Sequence, residues 1–101
     1  MSHVWVRHKV KNYGSWKLVF DQFREARLAG GEKSYWIFHP TDDPDNLFLI
    51  FQWDKLENAK KFMNSPKLKE AMQKAGVIES PEIRYLEEME TASTIPDYAR
   101  T

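Results

Sequence analysis

The sequence predicts an α+β domain whose elements run β-α-β-β-α-β. Three observations lead there: residues that alternate at a period of two over His3–Lys11, two stretches with apolar residues at helical spacing, and clusters of turn formers between them. In His3–Lys11, Val4, Val6, His8 and Val10 share one face and Trp5, Arg7 and Lys9 the other, which makes a first strand. Asn12 and Gly14 mark a turn, after which Trp16, Val19, Phe20 and Phe23 follow helical spacing until Gly30-Gly31 supplies a left-handed stop. Lys33–His39 reads as an aromatic strand. Pro40 to Asn46 then turns the chain, and Leu47–Trp53 resumes as strand, so the two form a hairpin.

Asp54 is placed to cap the next helix, with Glu57 at the N3 position completing a capping box and Leu56, Ala59, Phe62 and Met63 forming an apolar stripe. Ser65-Pro66 restarts the helix, giving Leu68, Ala71, Met72 and Ala75 a second apolar face that Gly76 closes. Glu82–Glu88 alternates imperfectly and supplies a last short strand. This order is that of the ferredoxin-like fold, a four-stranded antiparallel sheet with its helices on one face. Residues 1–90 are expected to form that domain and 91–101 a tail that is either loose or lies across a partner.

Leu47–Phe51 is apolar on both faces, and a strand of that kind belongs in the middle of a sheet covered twice. One helical layer covers it once. Trp36 and Phe38, or their opposite neighbours Tyr35 and Ile37, would together with Phe48 and Ile50 leave more than about 400 Å² of apolar surface in water. A homodimer that closes two sheets face to face is the expected remedy.

Composition narrows the chemistry. The 101 residues carry 15 basic and 15 acidic side chains and no cysteine, which removes thiol nucleophiles, cysteine-based metal sites and dithiol redox motifs. A balanced charge disfavours nucleic acid as a partner, and no apolar run approaches the about 18 residues of a membrane span. A cytoplasmic protein is expected. His3 and His8, five apart on a strand, face opposite ways, so a three-histidine metal site is disfavoured. Asp43 and Asp45 match the first two acidic positions of a calcium loop. Phe48 and Asp54 then stand where that loop needs glycine and glutamate, so a polar hairpin loop is expected. His39 falls in a turn. His8, on an otherwise valine row, is either a hydrogen-bonded core histidine or the base of a pocket. Phe62 and Met72 read as core or as the lining of an apolar cavity.

Val6-Arg-His-Lys-Val10, Trp16 with Phe20-Asp21, Phe51-Gln-Trp-Asp54 leading to Glu57, Ala59 and Phe62, and Ser65-Pro66 with Leu68 and Ala71-Met72 together resemble the antibiotic biosynthesis monooxygenase-like families of the dimeric α/β-barrel superfamily. The resemblance spans about residues 3 to 88. It implies a homodimer with a cavity between sheet and helices that takes an apolar or aromatic small molecule. For activity it implies a cofactor-independent monooxygenase acting on an aromatic or quinol-like substrate, or else a non-catalytic binding or structural module. Heme degradation is disfavoured, because Phe62 and Met72 stand where that branch uses Trp and His, and Arg7 or His8 where it uses Asn. By residue type, His8 is the catalytic candidate, and Tyr35, Trp36, Trp53, Phe62, Met72 and Tyr85 are candidates for contacting the ligand. Neither cofactor nor metal is implied.

Overall fold

The computed structural model describes residues 1–96. A four-stranded antiparallel sheet is built from β1 (Ser2–Lys9), β2 (Glu32–Phe38), β3 (Asn46–Trp53) and β4 (Glu82–Leu86), in the order β2-β3-β1-β4. Four helices pack on one of its faces: α1 (Tyr13–Gln22), α2 (Arg24–Gly30), α3 (Leu56–Met63) and α4 (Pro66–Lys74). This is the expected α+β, ferredoxin-like arrangement. No helix among the described residues is long and apolar enough to cross a membrane. Positions 97–101 of the expected tail lie outside the described residues.

Register sets which side chains meet the helices. Val4 pairs with Phe51, Val6 with Leu49 and His8 with Leu47, so all six lie on the helix-facing side. β2 adds Tyr35 and Ile37 to that side and β4 adds Ile83 and Tyr85. Val4, Leu47, Leu49 and Trp53 are wholly buried there and anchor the core. Trp5, Trp36, Phe48, Ile50 and Leu86 project from the opposite face, which no helix of the described residues covers. β3 is central, as its doubly apolar sequence requires, and its even-numbered apolar residues stay only half-buried.

Two local expectations need correction. The helix expected to run unbroken to Gly30 is two helices, because the chain tightens at Phe23, whose N–H reaches both Val19 O at 3.1 Å and Phe20 O at 3.2 Å. The Arg27 guanidinium also donates to the Phe20 carbonyl, satisfying an acceptor that a continuous helix would have used. Asp54 does not cap α3. Lys55 holds the N-cap position without a side-chain bond, while the Asp54 carboxylate accepts from the Lys55 N–H at 2.6 Å and from Asn58 Nδ2 at 3.2 Å. Its own N–H is committed to Gly31 O at 3.0 Å, which ties the end of β3 to the end of α2. Ser65, in contrast, caps α4 through Leu68 N at 3.2 Å, with Pro66 in the first turn.

Candidate functional site

A cavity of about 60 Å³ lies between the sheet and the helices. Its floor is Val6, His8, Leu49 and Phe51 of β1 and β3. Trp16 and Phe20 of α1 close one side, Phe62 of α3 another, and Leu68, Ala71 and Met72 of α4 a third. The alternation of β1 explains why an imidazole stands on this floor: His8 is two residues beyond Val6 and faces the same way. Arg7, its neighbour, faces outward and approaches Glu82 at 3.9 Å.

His8 is 6% exposed, and neither ring nitrogen has a hydrogen-bond partner among the described residues. Its nearest aromatic neighbour, Trp16, meets it edge-on with ring centroids 5.7 Å apart. The protein partner expected of a hydrogen-bonded core histidine is absent among the described residues. Burial lowers the imidazole from its ordinary 6.5 to about 4, so the ring is neutral at pH 7, with one donor and one acceptor nitrogen both unmet. Such a pair of unmet groups is uncommon in a protein interior and costs about 1–3 kcal/mol.

Arg27 is the residue that sequence reasoning missed. It lies on the same apolar stripe as Phe20 and Phe23, seven residues beyond Phe20, and is 3% exposed where it lines the cavity. Its Nε donates to Glu32 Oε1 at 2.9 Å, and its guanidinium carbon sits 3.7 Å from the centre of the Phe20 ring. Burial pushes the Glu32 carboxyl above its ordinary value while the Arg27 charge pulls it back. A charge on an otherwise apolar helical stripe, followed five residues later by a glutamate, was the available clue.

The seven candidates separate by place. His8, Phe62 and Met72 meet in the cavity. Tyr35 is on the helix-facing side of edge strand β2, edge-on to Phe20 at 5.0 Å and 39% exposed, outside the cavity wall. Trp53 is fully buried, and its indole Nε1 donates to Gly30 O at 2.9 Å; it braces α2 against β3 and does not line the cavity. Tyr85 is half-buried on edge strand β4 beneath Lys60, whose ammonium lies 5.6 Å from its ring, and burial raises its phenol above the ordinary value. Trp36 is on the far face of the sheet, because position 36 pairs with Ile50 and alternates away from Tyr35, so it cannot share a cavity with His8.

Solved structures resemble this arrangement. SnoaB, a cofactor-independent oxygenase from Streptomyces nogalater, superposes with a TM-score of 0.72 at 12% identity, over 89% of this chain and 94% of its own. A conserved protein from Methanosarcina mazei Go1 gives 0.67 at 16% identity, over 86% and 91%, and an antibiotic biosynthesis monooxygenase gives 0.61 at 14%, over 89% and 100%. The chain has the ferredoxin-like fold of antibiotic biosynthesis monooxygenase-like proteins. No protein-family model and no curated protein matches its sequence. What this ferredoxin-like fold supplies is a sheet with one helix-covered face and one open face, and His8 stands on the covered one.

Proposed function

We propose that the protein is a homodimeric small-molecule-binding protein that acts as a cofactor-independent monooxygenase on an aromatic or quinol-like substrate, with His8 as its polar group. The observation that carries this reading is the pair of unmet imidazole nitrogens buried in an apolar cavity. A group left without partners at such cost is a candidate for chemistry. The fold shared with SnoaB, described as a cofactor-independent oxygenase, supports the same reading. In this mechanism a neutral substrate enters, and the imidazole takes its acidic proton. The imidazolium and substrate anion then form a net-neutral pair, so no uncompensated charge is created in an apolar space. The anion reduces dioxygen to a bound peroxide, and the proton returns as water leaves. One CH₂ and O₂ become one C=O and H₂O.

The homodimer rests on the open sheet face, where Trp36 is 46% and Phe38 52% exposed beside Trp5, Phe48, Ile50 and Leu86. A second copy covering this face removes an apolar patch of the kind that monomers rarely keep. Oxygen uptake with anthrone- and quinol-type substrates tests the enzymatic reading. Turnover by the wild type and its loss in His8→Ala is expected, and no turnover by either protein removes the reading for those substrates. The volume of the cavity, well under the about 150 Å³ that accepts benzene, favours a second reading as a non-catalytic binding or structural module, which would consume no oxygen.

A further inference from the structure

We infer that the cavity takes a small uncharged arene carrying one hydroxyl, which enters past Met72 of α4 and hydrogen-bonds to His8, and that it refuses carboxylates. This rests on the reading above that the cavity is a ligand site, and it adds the charge, the polar handle and the route of entry.

The handle follows from His8. Its neutral ring offers one acceptor and one donor nitrogen, both unmet, on a floor otherwise made of Val6, Leu49 and Phe51. A hydroxyl can donate to the first or accept from the second, whereas a purely hydrocarbon ligand leaves both unmet. The charge selection follows from Arg27. Among the described residues its guanidinium is the one cation lining the cavity, and it is already committed to Glu32 at 2.9 Å, to the Phe20 carbonyl and to the face of the Phe20 ring. A carboxylate would have to give up its hydration without gaining a free cation, or displace Glu32 and leave that carboxyl buried and unpaired. The Arg27 and Glu32 charges cancel, His8 is uncharged at pH 7, and the remaining walls are apolar.

The route follows from α4. The cavity, at about 60 Å³, is too small as it stands for a six-membered ring, so a wall must yield. α4 buries none of its residues, while α3 buries Ala59 and Met63 and the sheet floor is the core itself. Met72 is half-buried on α4, unbranched and flexible, and rotating it outward enlarges the slot without disturbing the core.

Calorimetric titration of the full chain at pH 7 with phenol, toluene and benzoate, three probes of similar size, tests the inference. Phenol is expected to bind at least as tightly as toluene although water holds phenol better, and benzoate at least about 100-fold more weakly than phenol. In His8→Phe the phenol-to-toluene affinity ratio should fall at least about tenfold. In Met72→Ala both neutral ligands should gain affinity with the ratio unchanged. No binding of phenol, benzoate binding on a par with phenol, or a ratio indifferent to His8→Phe would overturn the inference. The wild-type series decides the charge selection even if a variant fails to fold. Absent oxygen uptake with the phenol selectivity intact would remove only the oxygenase reading, whereas lost selectivity removes this inference even where oxygen is consumed.

Discussion

Replacing His8 with phenylalanine separates the cost of a buried, partnerless imidazole from everything else that acid does to the protein. In the folded chain the ring protonates at about 4, against 6.5 in the unfolded chain. A base with a lowered folded-state value binds more protons when unfolded, so acid favours unfolding. Protonation of His8 therefore costs the fold almost nothing above 6.5, and the acid penalty grows as the pH falls from 6.5 through 4. At about 1.4 kcal/mol per pH step, the loss between pH 7 and pH 4 is about 3 kcal/mol. That is a large share of the about 5–15 kcal/mol typical of a domain. Glu32, whose carboxyl is raised by burial, works in the opposite sense, but it is present in both proteins and cancels in their difference. Urea denaturation followed by tryptophan fluorescence, at one protomer concentration and at several pH values, measures the difference. The wild type should lose about 3 kcal/mol more than His8→Phe between pH 7 and pH 4. At pH 7 the variant should be as stable as the wild type or up to about 2 kcal/mol more stable, because two unmet polar atoms are gone. Stability curves that run parallel from pH 7 to pH 4 would show that the imidazole titrates as in water, and would refute both its burial and its lack of partners.

Arg27→Met strands a buried carboxyl on Glu32 and should cost about 3–5 kcal/mol, whereas the double variant Arg27→Met/Glu32→Leu should recover most of it. A double-mutant cycle by urea denaturation that finds the two substitutions additive would contradict the ion pair. Gly31→Ala should cost about 2 kcal/mol by the same assay, because φ is +119° and an added Cβ would stand 2.8 Å from Trp53 Nε1 and press on the Asp54 carboxylate. Full stability in that variant would refute the tight joint between α2 and β3. Light scattering of the wild type at micromolar concentration should show a dimer, and the double variant Trp36→Glu/Phe38→Glu a monomer. A monomeric wild type would refute the argument from the open sheet face.

Much of this fold is legible because its residues satisfy local and tertiary demands at once. Val4, Val6, His8 and Val10 alternate, and the four are buried on one side. Ser65 and Pro66 start a helix where their chemistry says they should. The break at Phe23 is not legible, because Phe20, Phe23 and Arg27 continue one helical stripe and the tightening is sealed by a side chain reaching back from the next turn. Asp54 misleads for a related reason. Its spacing to Glu57 suits a capping box, yet the end of α2 claims its backbone and Asn58 its carboxylate. β2 carries aromatic residues on both faces and a register shift between Glu32 and Ser34, so the sequence cannot say whether Tyr35 or Trp36 turns toward the helices. Pairing with Phe51 decides for Tyr35.

The alternation of the strands sends the aromatic side chains, 14% of the sequence, in three main directions. Trp53 and Phe51 lock the covered face to the helices, with Trp53 reaching the Gly30 carbonyl. Trp5 and Phe48 pack against each other on the open face at 6.0 Å, and neighbouring Trp36 is left 46% exposed there. Trp16, Phe20 and Phe62 enclose a cavity whose floor carries His8. Because β1 and β3 contribute to both faces, the same two strands hold the proposed association surface and the proposed ligand site, but their side chains point apart. On the proposed reading, association and ligand selection are therefore separable by mutation: charge placed on the open face should act on the oligomer, while the choice between a hydroxyl and a methyl group should remain with His8.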